Sequence, residues 1–164
     1  MTQEKLPDHV QMLLSPSVYP HPVERVQLLQ THISYVLLAG DYVYKIKKPV
    51  DMGFLDYTTL EKLRFYCEEE VRLNSRLCSE AYLGVVAIST ADGKILLDAP
   101  GGTVLDYAVK MRRLPEERMM ERLLKENAVS SEMLTRLTGR LAAFHQSSES
   151  SMFNQEGSIT WLRN

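Results

Sequence analysis

The sequence predicts an α+β fold in which about five antiparallel strands carry one helix inserted after the third strand. Three observations support this order. Short runs of strand-forming residues lie between clusters of turn residues. One longer segment, from Leu60 to Leu77, has its apolar residues at helical spacing. An Asp92-Gly93 pair, a common two-residue hairpin turn, then joins two further strand-forming runs.

The order of the predicted elements follows from these patterns. A short amphipathic helix over residues 7–14 ends at Ser15-Pro16, and Ala39-Gly40-Asp41 is a turn between two strands. The long helix begins at Thr58, and Glu61 completes a capping box. The strand-forming runs that make up the predicted sheet of about five strands are residues 26–33, 35–38, 42–47, 82–89, 94–98 and 104–111.

The sequence divides into two regions, residues 1–114 and residues 115–164. The first region holds the sheet and its inserted helix. Pro115-Glu116-Glu117 begins the second region as a helix start, since proline and acidic residues favour the first helical turn. Ser130 is the predicted start of another helix. The second region is therefore predicted to be helical.

Composition excludes several classes of protein. With 45% hydrophobic and 24% charged residues, the chain has the composition of a folded globular protein. A net charge of −2 argues against a broad nucleic-acid surface, and no apolar run approaches the length of a membrane span. The first residues do not resemble a secretion signal, and Cys67 and Cys78 are predicted to be reduced packing residues. We therefore expect a cytosolic protein that binds neither nucleic acid nor membrane.

Two charged residues stand out because the pattern places them among apolar neighbours. Side chains of a strand alternate between faces, so Val43, Lys45 and Lys47 share one side of the strand 42–47. Glu70 falls within the apolar stripe of the long helix. A buried charge is costly unless it is paired. We therefore expect Lys45 and Glu70 to form an ion pair.

Other assignments are compatible with the same pattern. Lys47 shares the face of Lys45 and competes with it for the role, and Glu69 competes with Glu70, since both glutamates belong to an acidic triplet with Glu68. Lys45 alone could equally be an edge lysine whose ammonium group reaches solvent.

The chain resembles the bacterial aminoglycoside-phosphotransferase-like kinase family. The resemblance extends over nearly all 164 residues. It implies the small lobe of a protein-kinase-like fold, with ATP as the nucleotide. The segments that carry it are Thr31–Ser34, Tyr44–Val50, Gly53–Asp56, Leu60–Lys62, Phe65–Glu70, Tyr107–Pro115 and Ala143–His145.

The resemblance implies a role for each residue of a nucleotide site. Lys45 would contact the α- and β-phosphates while Glu70 holds it in place. Val43 and Met111 would contact the nucleotide as well. The hydroxyls of Thr31 and Ser34 could donate to phosphate or simply form a turn.

The segment after the last strand resembles the kinase hinge. Arg112 to Leu114 would present backbone N–H and C=O groups to the adenine edge. The side chains of Arg112 and Arg113 could instead form salt bridges with Glu116 and Glu117.

The remaining parts of a kinase do not occur in the sequence. No histidine has an aspartate two residues later, so the catalytic loop is absent, and magnesium is expected only together with a missing large lobe. Asp51-Met52-Gly53 copies the metal-binding Asp-Phe-Gly motif but precedes the helix, so a metal role is not expected. The chain is either the ATP-binding lobe of a small-molecule kinase with an unknown acceptor or a non-catalytic module of kinase shape.

Two further expectations concern stability and association. If Lys45 pairs with Glu70, Glu70→Ala should cost about 1–3 kcal/mol, and the double change Lys45→Met with Glu70→Leu should restore much of the loss. Helices of the second region should expose an apolar face that permits self-association. That face consists of Met119, Leu123, Leu134, Leu137, Leu141 and Phe144.

Overall fold

The computed structural model describes residues 5–53 and 56–147. These residues form two compact units, one extending to Leu114 and one beginning at Pro115. The family segment 53–56 lies partly outside the described residues, because positions 54 and 55 are not among them.

The first unit is built on one six-stranded antiparallel sheet with the strand order β1-β2-β3-β6-β4-β5. This confirms the α+β class, whereas the expectation of about five strands is wrong. Strand β5 has only four residues and pairs with β4 alone, across the tight turn that joins the two strands. The strands are β1 Val26–Gln30, β2 Ser34–Ala39, β3 Tyr42–Lys47, β4 Tyr82–Ala91, β5 Lys94–Leu97 and β6 Thr103–Arg112.

Two turns of the sheet use positive φ angles. Gly40 connects β2 to β3 at φ +56°, and a Cβ atom there would lie 2.7 Å from the carbonyl oxygen of Pro22. Asp92 and Gly93, at φ 50° and 71°, form the predicted hairpin turn between β4 and β5. The predicted first strand ends at Gln30 rather than residue 33, because Thr31 donates its N–H to the carbonyl of Ser34 at 2.9 Å and closes a turn.

One face of the sheet forms the main core beneath the N-terminal segment. Helix α1, Asp8–Met12, and the residue after it bury Val10 and Leu13 completely. Tyr44 and Ile46 of β3 belong to the same buried cluster. The predicted N-terminal helix therefore packs on the sheet, although it is shorter than residues 7–14.

Helix α2, Leu60–Cys78, packs on the opposite face, mainly against β4 and β6. Leu63 and Cys67 are its buried side chains. The predicted start at Thr58 is wrong, because the Thr58 hydroxyl donates to Asp56 at 2.6 Å. Thr59 caps the helix instead, and its hydroxyl accepts the N–H of Lys62 at 3.3 Å. Cys78 is exposed, so the prediction that it is a packing residue is also wrong.

The second unit is helical. Residues Glu116–Arg118 make a single 3-10 turn, and α3 spans Met120–Lys125. The helix predicted to begin at Pro115 is therefore interrupted, because Met119 has an extended backbone with ψ of 136°. Helix α4, Ser131–Ser147, begins as predicted after Ser130, whose hydroxyl accepts the N–H of Met133 at 3.1 Å. None of the helices in the described part of the chain has the length and apolar character needed to span a bilayer.

Candidate functional site

The candidate site lies on the face of the sheet that α2 covers only in part. Because side chains of β3 alternate, Val43, Lys45 and Lys47 share the face on which α2 packs, while Tyr44 and Ile46 enter the main core. Two of the three side chains that β3 gives to this face are therefore cationic.

Glu70 of α2 accepts hydrogen bonds from both lysines. Lys45 Nζ lies 2.8 Å from Glu70 Oε1, which confirms the predicted pair. Lys47 Nζ lies 2.6 Å from Glu70 Oε2. Lys47, the alternative to Lys45 in the sequence, is therefore a second partner of Glu70. The exposed fractions of the three side chains are 29% for Lys45, 5% for Lys47 and 12% for Glu70.

The other two glutamates of the acidic triplet pair with arginines of the same helix, although Glu69 also lines a cavity beside Glu70. Glu69 pairs with Arg72 at 2.7 Å, one helical turn along α2. Glu68 pairs with Arg64 at 2.8 Å, and both side chains are at least half exposed. Helical phase therefore selects Glu70, as the apolar stripe indicated, and the alternative Glu69 is wrong.

The two lysines keep Glu70 ionised. Burial acts to raise its pKa, but the hydrogen bonds and charges of Lys45 and Lys47 outweigh burial and hold the pKa of Glu70 below its usual range. The pKa values of the Tyr57 and Tyr82 phenols shift in the opposite direction, upward. Burial and then the negative charge of Glu70 raise the pKa of each, so both phenols remain neutral at physiological pH.

Tyr57, which lies between β3 and α2 in the chain, packs against Lys47. The Lys47 ammonium lies 5.2 Å from the centre of the Tyr57 ring, a cation–π distance, and Tyr57 is only 4% exposed. The N–H of Tyr57 donates to the carbonyl of Val50 at 2.9 Å. In the loop between β3 and α2, Asp51 accepts the N–H of Gly53 at 2.8 Å, so the carboxylate of the Asp51-Met52-Gly53 motif takes part in a local turn.

A cavity of about 520 Å³ opens beside the charged cluster. Lys45, Lys47 and Glu70 line it together with four aromatic side chains, Tyr57, Phe65, Tyr66 and Tyr82. Phe65 is 56% exposed at this surface. None of these four aromatic residues was predicted from the sequence to line the site. The spacing of Phe65, Tyr66, Glu69 and Glu70 along α2 is the signal that would have placed them on one side of the helix.

Strand register places a second, apolar surface next to Lys45. Leu38, Val43 and Met111 lie opposite one another across β2, β3 and β6. The neighbouring row contains Leu29, Val36, Lys45 and Val109. Leu29 is 46% exposed, and Leu38 and Met111 are half-buried. Val43 is therefore on the same face as Lys45, as predicted, and strand register places Met111 on that face as well.

Thr31 and Ser34 occupy different environments. The Thr31 hydroxyl donates to the Ser34 carbonyl at 3.3 Å and accepts the N–H of Ile33 at 3.4 Å, so it belongs to the turn. Ser34 is fully buried opposite Lys47, and its hydroxyl has no hydrogen-bond partner within the described residues. The two hydroxyls do not form one accessible pair.

The predicted hinge is partly engaged in the fold. The N–H of Arg112 donates to Ala81, and that of Arg113 donates to Asp41, each at 2.8 Å. Neither amide is therefore available to a ligand in this structure. Both side chains are exposed and, within residues 5–53 and 56–114, neither forms an ion pair. The Leu114 N–H makes no hydrogen bond to another residue of that part of the chain.

No metal centre is found in the described residues. Among residues 5–53 and 56–147, no three histidine, cysteine, aspartate or glutamate side chains converge in a way that could hold an ion. The thiol of Cys67, a buried residue of α2, is not a reactive group, because burial raises its pKa to about 12.

Comparison with known proteins finds relatives in mycobacteria. An uncharacterized protein of Mycobacterium bovis and two uncharacterized proteins of Mycobacterium tuberculosis strains are each 33% identical to the chain over 129 residues. The alignment covers 77% of this chain but only 24% of each relative, so the chain spans about a quarter of the length of these proteins. No protein-family model matches the sequence, and no solved structure matches it.

Proposed function

We propose that residues 1–114 form the ATP-binding lobe of a kinase-like, aminoglycoside-phosphotransferase-like enzyme. The observation that carries the proposal is the 2.8 Å contact between Lys45 on β3 and Glu70 on α2. A strand lysine held by the glutamate of the following helix is the arrangement by which protein kinases hold nucleotide phosphates. The order of two strands, a strand with lysine and a helix with glutamate is that of the kinase small lobe.

The exposure of Lys45 supports a role in binding phosphate. Both lysines line the cavity, but the side chain of Lys45 is 29% exposed and that of Lys47 only 5%. An ammonium group has three N–H donors, and Glu70 Oε1 uses one of them. Lys45 therefore has further N–H donors that a phosphate oxygen in the cavity could accept.

The apolar surface beside Lys45 supports a role in binding adenine. The row Leu38, Val43 and Met111, in which Val43 is buried and the two outer side chains are half-buried, gives an apolar surface on which an aromatic base can stack. The N–H of Leu114, which makes no hydrogen bond within residues 5–53 and 56–114, lies in the chain segment that follows β6 and is suited to donate to a ring nitrogen. Arg112 and Arg113 do not share this role, because their amides are bound within the fold.

The activity of the whole protein is a wider proposal, since the chain spans about a quarter of its relatives. We propose transfer of the ATP phosphoryl group to a small molecule by the complete protein, with magnesium bound by residues other than those described. We also propose a cytosolic location, in keeping with two free cysteines. The alternative function, a non-catalytic module that binds nucleotide, shares the same site and differs only in lacking transfer.

Calorimetric titration of the full chain with ADP and with adenosine tests the binding site. Lys45→Met should weaken ADP binding roughly 10- to 100-fold, because a hydrogen bond to a charged group is lost, and should leave adenosine binding unchanged. Lys94→Met is the matched control, since Lys94 is an exposed strand lysine on β5. Undiminished ADP binding by Lys45→Met would show that the proposed phosphate contact is wrong.

A further inference from the structure

Two lysines share one glutamate in this site, and their surroundings differ sharply. Lys45 and Lys47 each bind a separate oxygen of Glu70, at 2.8 and 2.6 Å, so the two contacts coexist. Lys47 is 5% exposed and Tyr57 lies over its ammonium group, whereas Lys45 is 29% exposed. The kinase arrangement needs only one such lysine. The second lysine therefore requires its own explanation.

We propose that Lys47 is a positioning residue that holds Glu70 permanently and thereby releases Lys45 to bind the anionic ligand. This inference rests on the proposed function, and it assigns separate roles to the two lysines. A buried ammonium without a counter-ion is strongly disfavoured, so the contact between Lys47 and Glu70 persists. Water can reach Lys45, so Lys45 can exchange Glu70 for a phosphate oxygen at lower cost.

The charge count of the cluster leads to the same assignment. Lys47 and Glu70 together are neutral, and Lys45 adds one positive charge at the exposed edge of the cluster. If Glu70 had only Lys45 as a partner, the two charges would cancel, and a phosphate would have to compete with the carboxylate for the ammonium group. The second lysine therefore leaves the cluster of Lys45, Lys47 and Glu70 with a net positive charge that attracts an anion, while Glu69, which also lines the cavity, is paired with Arg72.

The environment of Glu70 allows this asymmetry to be measured without a ligand. The titratable groups that face or influence it are Lys45 and Lys47 of β3, Tyr57 of the loop, Tyr82 of β4 and Cys67 of α2. The two phenols and the thiol are neutral near pH 7, because their pKa values are raised. The two lysines are therefore the groups that determine the ionisation of Glu70.

The first experiment follows the Glu70 carboxyl carbon by NMR through an acid titration of the full chain. In Lys45→Met the pKa of Glu70 should stay below its usual value, because Lys47 remains. In Lys47→Met the pKa of Glu70 should rise further above the parent value than it does in Lys45→Met. Lys47→Arg should resemble the parent. Equal rises in Lys45→Met and Lys47→Met would overturn the inference, as would a larger rise in Lys45→Met.

The second experiment adds ADP to the same proteins. Lys47→Met should bind ADP roughly 10- to 100-fold more weakly, because Glu70 then retains Lys45. Adding Glu70→Gln to Lys47→Met should recover most of that loss, since the released Lys45 restores the net charge of the site. A purely structural role of Lys47 predicts no recovery, so its absence in a double variant with parent-like circular dichroism would overturn the inference.

The two experiments separate this inference from the proposed function. A parent chain that binds no ADP would contradict the nucleotide site, and the carboxyl titration would still decide whether Lys47 holds Glu70. Parent-like ADP binding by Lys47→Met would contradict the release of Lys45 while leaving the nucleotide site intact.

Discussion

Replacing Glu70 should destabilise the first unit more than the sequence alone suggests. The change Glu70→Leu removes two hydrogen-bonded ion pairs at once, those with Lys45 and Lys47. From the sequence, a single pair is expected, and Glu70→Ala is predicted to lower the free energy of unfolding by about 1–3 kcal/mol. The structure shows that the more buried of the two partners is Lys47, which is 5% exposed.

The magnitude follows from the burial of each lysine. Leaving Lys47 without a counter-ion should cost about 3–5 kcal/mol, the usual range when one partner of a buried pair is removed. Lys45 adds about 0–1 kcal/mol, since it is almost one-third exposed and solvent screens its charge. We therefore expect Glu70→Leu to lower the free energy of unfolding by about 3–6 kcal/mol.

Double variants distinguish the two partners. The combination Lys45→Met with Glu70→Leu, which the sequence predicted to restore stability, should restore little, because Lys47 stays buried and unpaired. Lys47→Met with Glu70→Leu should restore most of the loss, since only the hydrated Lys45 keeps a charge. Glu68→Ala is the control, and it should cost no more than about 0.5 kcal/mol, because the pair with Arg64 is exposed.

Urea unfolding followed by far-ultraviolet circular dichroism measures these differences. The pKa of Glu70 is lowered in the folded protein, so its stabilising effect is present above its ordinary value of 4.5 and is lost as pH falls through the folded-state pKa. The gap between the parent and Glu70→Leu should therefore narrow in acid. Equal stability of Glu70→Leu and Glu68→Ala would refute the reasoning, as would equal rescue by the two double variants.

Four further predictions concern other parts of the chain. Gly40→Ala should cost more than about 1 kcal/mol, because a side chain at φ +56° is strained and its Cβ would meet the Pro22 carbonyl at 2.7 Å. Burial raises the pKa of the Cys67 thiol from 9.0 to about 12, so the unfolded chain loses this proton at lower pH than the folded protein does. The free energy of unfolding should therefore fall between pH 9 and about pH 12, and it should fall less steeply in Cys67→Ala. The purified chain should transfer no phosphoryl group from ATP to a sugar, an aminoglycoside or a protein, since its sequence has no His-x-Asp motif. Sedimentation should show self-association through exposed apolar side chains of α4, namely Met133, Leu134, Leu137 and Leu141.

Each of these predictions has a matched control. Gly139→Ala lies in α4 with open space around its Cβ position and should stabilise the helix by about 0.5–1 kcal/mol. A stable Gly40→Ala variant would contradict the strain argument. An alkaline slope that is unchanged in Cys67→Ala would contradict the assigned thiol. Transfer above a buffer blank would overturn the third prediction, and a monomer at high concentration whose state is unaffected by Leu137→Glu would overturn the fourth.

Local patterns in the sequence were sufficient to predict much of the fold. Alternation placed β3 at Tyr42–Lys47, the Asp92-Gly93 pair marked the hairpin, and Ser130 marked the start of α4. These features depend on residues close together in the chain. Element boundaries were less reliable where neighbouring polar groups compete, as at Thr58, whose hydroxyl binds Asp56 and leaves the cap to Thr59.

The contact between Lys45 and Glu70 was also predictable, because strand alternation and helical phase each point a charged side chain toward the same face. The number of partners was not predictable in this way. Lys45 and Lys47 share one face of β3, and sequence spacing alone cannot say which of them is buried or whether both reach one carboxylate.

Only the tertiary structure decided how the two lysines differ. Tyr57 packs against the ammonium of Lys47, which is 5% exposed, whereas Lys45 is 29% exposed, and this difference depends on how Tyr57 and α2 pack on the sheet. The structure likewise showed that the amides of Arg112 and Arg113 are bound by Ala81 and Asp41, residues distant in the chain. Local periodicity determines which face a residue occupies, whereas burial and hydrogen-bond partners depend on long-range packing that no single segment encodes.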